Sequence, residues 1–106
     1  MQQHYFIAFY VPETHVEEVK EAMFVVGAGQ LGNYERVAWQ VKGEGQFCPK
    51  AGSQPYLGKV NELERVAEYR VEMICKTEAI KAVLKAFKEA HPYEEPAYQV
   101  IKLEEF

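Results

Sequence analysis

The amino-acid sequence predicts an α+β fold: a ferredoxin-like β-α-β-β-α-β sandwich, an antiparallel sheet with two helices on one face. Three observations lead there. Apolar residues recur at helical spacing in two stretches, Val16 to Val26 and Ile80 to Phe87. Extended stretches rich in aromatic and β-branched residues flank both. And residues 1–106 are the length of one domain.

The first strand runs from His4 to Val11. Tyr5, Ile7, Phe9 and Val11 share one side and Phe6, Ala8 and Tyr10 the other. Both sides are apolar, so this strand belongs in the middle of its sheet. Pro12 closes it. A helix follows, with Thr14 as N-cap and Glu17 completing a capping box. Val16, Val19, Met23 and Val26 form its buried stripe, and Gly27 and Gly29 stop it. Glu35 to Lys42 reads as a second strand, with Val37, Trp39 and Val41 on a buried face. A long Gly/Pro-bearing loop then extends from Gly43 to Gly58. Loops of that length in a small domain are often functional or contact a partner. A third strand occupies Glu64 to Cys75. Thr77 caps the second helix, whose stripe is Ile80, Val83, Leu84 and Phe87. His91-Pro92 ends it, because the residue before proline avoids helical backbone angles. Ala97 to Leu103 is the last strand. With both helices on one side, the opposite face of an apolar central strand needs a cover, and a second copy of the chain supplies one most simply.

Composition narrows the function classes. Hydrophobic residues make up 48% and charged residues 26%, ordinary for a globular domain. Twelve basic residues against sixteen acidic ones leave a net charge of −4. That balance argues against nucleic-acid binding, which needs a basic face. No apolar run approaches a membrane span, and the N-terminal residues carry no basic leader, so a cytoplasmic protein is expected. Cys48 and Cys75 form no CxxC pair and read as reduced thiols.

The stretch Gly27-Ala28-Gly29-Gln30-Leu31-Gly32 matches G-x-G-x-x-G. A helix precedes it and a turn follows, the reverse of a dinucleotide site, so it reads as a glycine-rich helix stop. His91-Pro92-Tyr93-Glu94-Glu95-Pro96 is the densest chemical cluster. An imidazole and two carboxylates could ligate a divalent metal. The plainer reading is a rigid turn, with His91 meeting the last helix carbonyls. The frame Gly43, Gly45, Phe47, Pro49, Gly52, Pro55, Gly58 alternates backbone freedom with backbone restraint and holds one loop shape. No aspartate occurs, and Ser53 is the sole serine, so a Ser-His-Asp triad is excluded. Cys48 and His91 form a Cys–His pair only formally.

Four ordered motifs resemble one known module. They are Gly27-Ala28-Gly29 with Gly32-Asn33-Tyr34, then the Gly45 to Gly58 frame, then Glu64 with Glu68-Tyr69-Arg70-Val71-Glu72, then Ala90-His91-Pro92-Tyr93-Glu94-Glu95-Pro96-Ala97-Tyr98. Together they are similar to the domain inserted in the middle of Nif-three-like dinuclear-metal proteins, across Tyr5 to Leu103. The His91 to Pro96 stretch is also similar to the terminal motif of the CutA divalent-cation-tolerance proteins, which share a PII-like fold and form trimers. The resemblance implies a stand-alone PII/CutA-like domain. The halves that carry the dimetal site of the Nif-three-like family are absent from these 106 residues, so its hydrolase-type activity does not carry over. From CutA it brings His91, Tyr93 and Glu94 as candidate metal or ligand contacts, without the cysteine-bearing helix motif of that family.

The expectation is therefore a non-enzymatic homo-oligomer, a trimer before a dimer, that binds a small ligand or a protein partner. The alternative is a divalent-metal-binding protein that uses the His91-Pro92-Tyr93-Glu94 turn. Candidate ligand or metal residues are His91, Tyr93, Glu94 and Glu95. Candidate loop or interface residues are Gly29, Asn33, Tyr34, Gly45, Phe47, Pro49, Gly52, Pro55, Gly58 and Glu72.

Overall fold

A computed structural model describes residues 3–106. Strand β1 (His4–Pro12) leads to helix α1 (Val16–Val25), then β2 (Trp39–Phe47) and β3 (Glu64–Lys76). A single 3₁₀ turn, Thr77–Ala79, opens into helix α2 (Ile80–Ala90), and β4 (Tyr98–Lys102) completes the sheet. The strands lie in the order β2-β3-β1-β4, all pairs antiparallel. The strand that is apolar on both sides is thus internal, where both of its edges are hydrogen-bonded.

Register assigns the faces. Ile7 pairs with Met73 and Val100, and Phe9 with Val71 and Tyr98. These side chains meet Val16, Val19 and Met23 of α1 and Val83 and Phe87 of α2 in one core. Both helices therefore cover the same side. On the other side, Phe6 pairs with Ile74 and Ile101, Ala8 with Glu72 and Gln99, and Tyr10 with Arg70. Trp39 opposite Glu72 and Val41 opposite Arg70 extend that face across β2.

Four local expectations are corrected. Thr14 does not cap α1: the N-cap is His15, which makes no side-chain cap. The Thr14 hydroxyl instead pairs with the His15 ring nitrogen at 2.8 Å, and Glu17 takes Lys20 at 3.0 Å. Nor does Thr77 cap α2. Its hydroxyl donates to the Gln3 carbonyl, and the helix begins after the 3₁₀ turn. The second strand starts at Trp39 rather than Glu35 and continues to Phe47, absorbing Gly43 and Gly45 from the expected loop. Its Trp39 and Val41 lie on the open face, 59% and 46% exposed, not on a buried one. Gln40 instead faces the helices, where it accepts from Lys20 at 2.7 Å.

The Gly27 to Gly32 segment is a helix stop. Gly27, Gly29 and Gly32 have φ of +115°, +78° and +57°. Gly29 is also pinned between β3 and the segment leading into β2, its N–H donating to the Ile74 carbonyl and its carbonyl accepting from the Val37 N–H. A Cβ there would press on Phe24 and the Val37 backbone at 2.9 Å. Cys48 is exposed and Cys75 buried, both as free thiols. Burial pushes the Cys75 thiol up to about 11. The molecule measures 48 × 24 × 24 Å, and its radius of gyration of 14.8 Å reflects that elongation.

Phe87 joins the core to what lies beyond it, touching the rings of Phe9 (5.0 Å), Tyr98 (5.3 Å) and His91 (5.4 Å). Phe87→Ala is expected to cost about 3–5 kcal/mol, the range for emptying a buried aromatic site. Urea denaturation followed by far-UV circular dichroism measures it.

Candidate functional site

The chain reverses twice at one end of the sheet. Between β2 and β3, residues 48–63 form the Gly/Pro loop. The Asn61 N–H closes it onto the Pro49 carbonyl at 2.8 Å. Gly52 and Gly58 take φ of +93° and +89°, a region costly for any side chain. Between α2 and β4 lies the His91 to Pro96 turn. A cleft of about 500 Å³ opens between the two. That volume lies in the range of small-molecule sites.

His91 sets the turn in place. Among the described residues it is the one buried polar side chain, 5% exposed. The Tyr93 N–H donates to its Nδ1 at 3.1 Å, and its Nε2 lies 2.7 Å from the Tyr10 carbonyl of β1. Nδ1 accepts, so the proton sits on Nε2, which donates to Tyr10. The ring thus ties strand, helix end and turn together, rather than meeting the helix carbonyls as the sequence suggested. Burial holds its pKa below the ordinary histidine value of 6.5.

Tyr93 comes next in the chain of contacts. Its hydroxyl donates to Glu68 Oε2 of β3 at 2.7 Å. Burial and that carboxylate raise the phenol above its usual range. Its ring stands 4.9 Å from His91, 5.8 Å from Phe47 and 6.5 Å from Tyr56. Tyr56 also meets the His15 ring edge-on at 5.6 Å. Gly45 lies beneath Glu68, and a Cβ at that position would overlap the carboxylate. Glu94 accepts the Gln54 N–H at 3.1 Å, joining the turn to the loop.

Of the sequence-derived candidates, Gly45, Phe47, Pro49, Pro55, Tyr93, Glu94 and Glu95 line the cleft. His91 supports it from within the core, and Gly52 and Gly58 shape the loop. Glu72 lies on the open sheet face, where it accepts from Arg70 at 3.0 Å. Gly29, Asn33 and Tyr34 are not brought to the cleft. Gly29 bonds β3 at Ile74, roughly 20 Å along the strand from Glu68 at about 3.3 Å per residue. Asn33 and Tyr34 are exposed beside it. Tyr56 and Ser53 of the loop also line the cleft, with Tyr10, Glu68 and Lys50, which carry no site signal of their own in the sequence. Glu68 sits inside a motif read there and is turned toward the opening by the register of β3, whereas Tyr56 reaches it from the loop.

Among the described residues, no group of three or more His, Cys, Asp or Glu side chains converges to hold a metal ion. No described helix is long and apolar enough to cross a membrane.

Two predictions follow the His91–Tyr93–Glu68 chain. The unfolded state binds a proton at His91 near pH 6.5, while the folded state resists it. Stability therefore holds above that pH and falls as pH drops below it. Denaturation midpoints between pH 7.5 and 5 should decline more steeply in wild type than in His91→Gln. Gly45→Ala should keep the fold but swing Glu68 away from Tyr93. Its cost in urea unfolding should not exceed the roughly 1.5–3 kcal/mol of a hydrogen bond to a charged group.

No family model matches the chain. It is 48% identical over 94 residues to a GTP cyclohydrolase 1 type 2 homolog of Mycobacterium leprae, covering 89% of this chain and 24% of that protein. It is 38% identical to a Bacillus cereus protein related to NIF3 of solved structure, with a TM-score of 0.83 over 98% of this chain and 26% of that one. The CutA protein of Archaeoglobus fulgidus superposes with a TM-score of 0.66 at 16% identity, over 97% of this chain and 86% of its own. The GlnK protein of Bacillus subtilis gives 0.63 at 12% identity, over 97% of this chain and 84% of its own. These last two likenesses establish the fold. The chain spans about a quarter of the length of the curated relatives it matches. It has the ferredoxin-like fold that CutA and GlnK share, and it is homologous over nearly its whole length to one segment of the longer NIF3-related GTP cyclohydrolase 1 type 2 homologs.

Proposed function

We propose that this chain is a non-enzymatic, self-associating PII/CutA-like module that binds a small ligand or a protein partner in its end cleft. The observation that carries the reading is the sheet face away from the helices. Trp39, the sole tryptophan, is 59% exposed there, with Ile101 at 54% and Val41 beside it. Phe6 and Ile74 lie between them on the same side. Single exposed apolar residues are ordinary, but several on one face mark a contact surface.

A second copy of the chain suits this face. Across its middle, Glu72 accepts from Arg70, Arg70 donates to the Tyr10 hydroxyl, and that hydroxyl donates to Gln99. The row holds both charge signs, so it can meet its own image without burying a lone charge. The resemblance to CutA favours three copies over two.

The cleft supports binding rather than turnover. The Ser53 hydroxyl donates to the Lys50 carbonyl at 2.6 Å, and both His91 nitrogens are engaged. No nucleophile is paired with a base among the cleft residues. The activity in the relatives' names belongs to chains of which this one spans about a quarter. The metal alternative has less support. Ligation by His91 would break one of its two hydrogen bonds, and Glu94 points its carboxylate at Gln54.

Light scattering at micromolar concentration should give a multiple of 12.2 kDa. Trp39→Glu should reduce it to the monomer mass with an unchanged circular dichroism spectrum. A wild-type protein that is already monomeric defeats self-association.

A further inference from the structure

Resting on the reading of the cleft as the ligand site, we infer that its ligand carries an organic cation, an alkylammonium group on an apolar stem. The walls are aromatic. Phe47 and Tyr56 both stand against Tyr93, at 5.8 and 6.5 Å between ring centres and tilted by 60° and 46°. Ring faces carry partial negative charge and attract a cation within about 6 Å. The rings are also fixed before any ligand arrives. Tyr93 is held by Glu68 and by its own N–H on His91, and Tyr56 is braced on His15. A preformed aromatic site loses little freedom on binding.

Charge points the same way. Glu68, Glu94 and Glu95 line the cleft, against the single ammonium of Lys50. Glu68 sits at the sheet side, partly buried, with Oε2 on the Tyr93 hydroxyl. Its Oε1 has no hydrogen-bond partner among the described residues, and a carboxylate accepts more than one bond. A phosphate or carboxylate ligand would meet three like charges and one lysine. An ammonium head meets acceptors and ring faces, while its stem lies against Pro49, Pro55 and Leu57. The polar and apolar parts of the cleft are thus matched by one chemical class.

Titrations of ¹⁵N-labelled protein by NMR test this, with four probes: cadaverine, N-acetyl-lysine methylamide, the uncharged 1,5-pentanediol, and ATP. Cadaverine or the lysine derivative should shift the Gln54, Tyr56 and Tyr93 amides, and the stronger of the two separates a free amine from a side chain carried on a peptide. Pentanediol should bind at least about tenfold more weakly, as loss of the cation's contacts implies. Tyr56→Ala removes an exposed ring, and Glu68→Gln keeps an acceptor for Tyr93 while removing the charge. Each should weaken amine binding by about tenfold with the fold intact. Equal binding of pentanediol, or amine binding unmoved by both variants, overturns the cation assignment. Shifts of the same amides by ATP alone would also overturn it, while leaving the cleft as a ligand site. Silence from all four probes removes both the cation and the cleft reading.

Discussion

The His91 imidazole is the contact on which the rest of the site depends. Burying an imidazole is costly unless both nitrogens find partners. Here one accepts from the turn that follows it and the other donates to the end of β1. Those two bonds fix where the chain reverses after α2 and where Tyr93 stands. Tyr93 then orients Glu68, and the Glu68 carboxylate fills the space above β2 that only a glycine at position 45 leaves open. Core, turn and cleft form one continuous set of contacts from Phe9 through Phe87 and His91 to Tyr93. A proton or a metal at His91 would have to break into that set.

The second constraint is the two-sidedness of the sheet. Antiparallel register places Ile7, Phe9, Val71 and Met73 under the helices, and with them most of the buried apolar surface. The opposite side is not uniformly greasy. An Arg70–Glu72 pair bonded through Tyr10 to Gln99 crosses it, between Phe6, Ile74 and Ile101 at one end and Val41 at the other. Such a surface is too apolar to be indifferent to partners and too polar to be a second core. It has the mixed character of surfaces that assemble.

The site and the open face meet at Tyr10, which lines the cleft and bonds Arg70 on the face, but they are built differently. The cleft is made from loops braced at the end of a rigid sheet, the usual arrangement for binding residues. The face is made from strands whose side chains alternate, so its outward residues are interleaved with those that hold the core. The homologous proteins are much longer chains, and this unit corresponds to about a quarter of each. Its chemistry is accordingly that of the cleft and the face, read from their own residues.

The sequence by itself determined the order of elements, the single helix-covered face and the internal position of the two-sided strand. Those depend on periodicity, which is a local property of successive residues. It also placed the helix stop at Gly27 and the end of α2 at His91, where backbone chemistry acts within a few residues. The caps expected at Thr14 and Thr77 do not form because each hydroxyl has another partner, the His15 ring and the Gln3 carbonyl. The second strand slid along the chain because Gly43 and Gly45 look like loop, yet β3 supplies their pairing partners. Only the tertiary structure decided that His91 bonds Tyr10, that Tyr93 meets Glu68, and that Gly29, Asn33 and Tyr34 lie at the far end of the sheet. Those pairs are far apart in sequence and meet only through strand register, and a shift of one residue would turn every side chain to the opposite face.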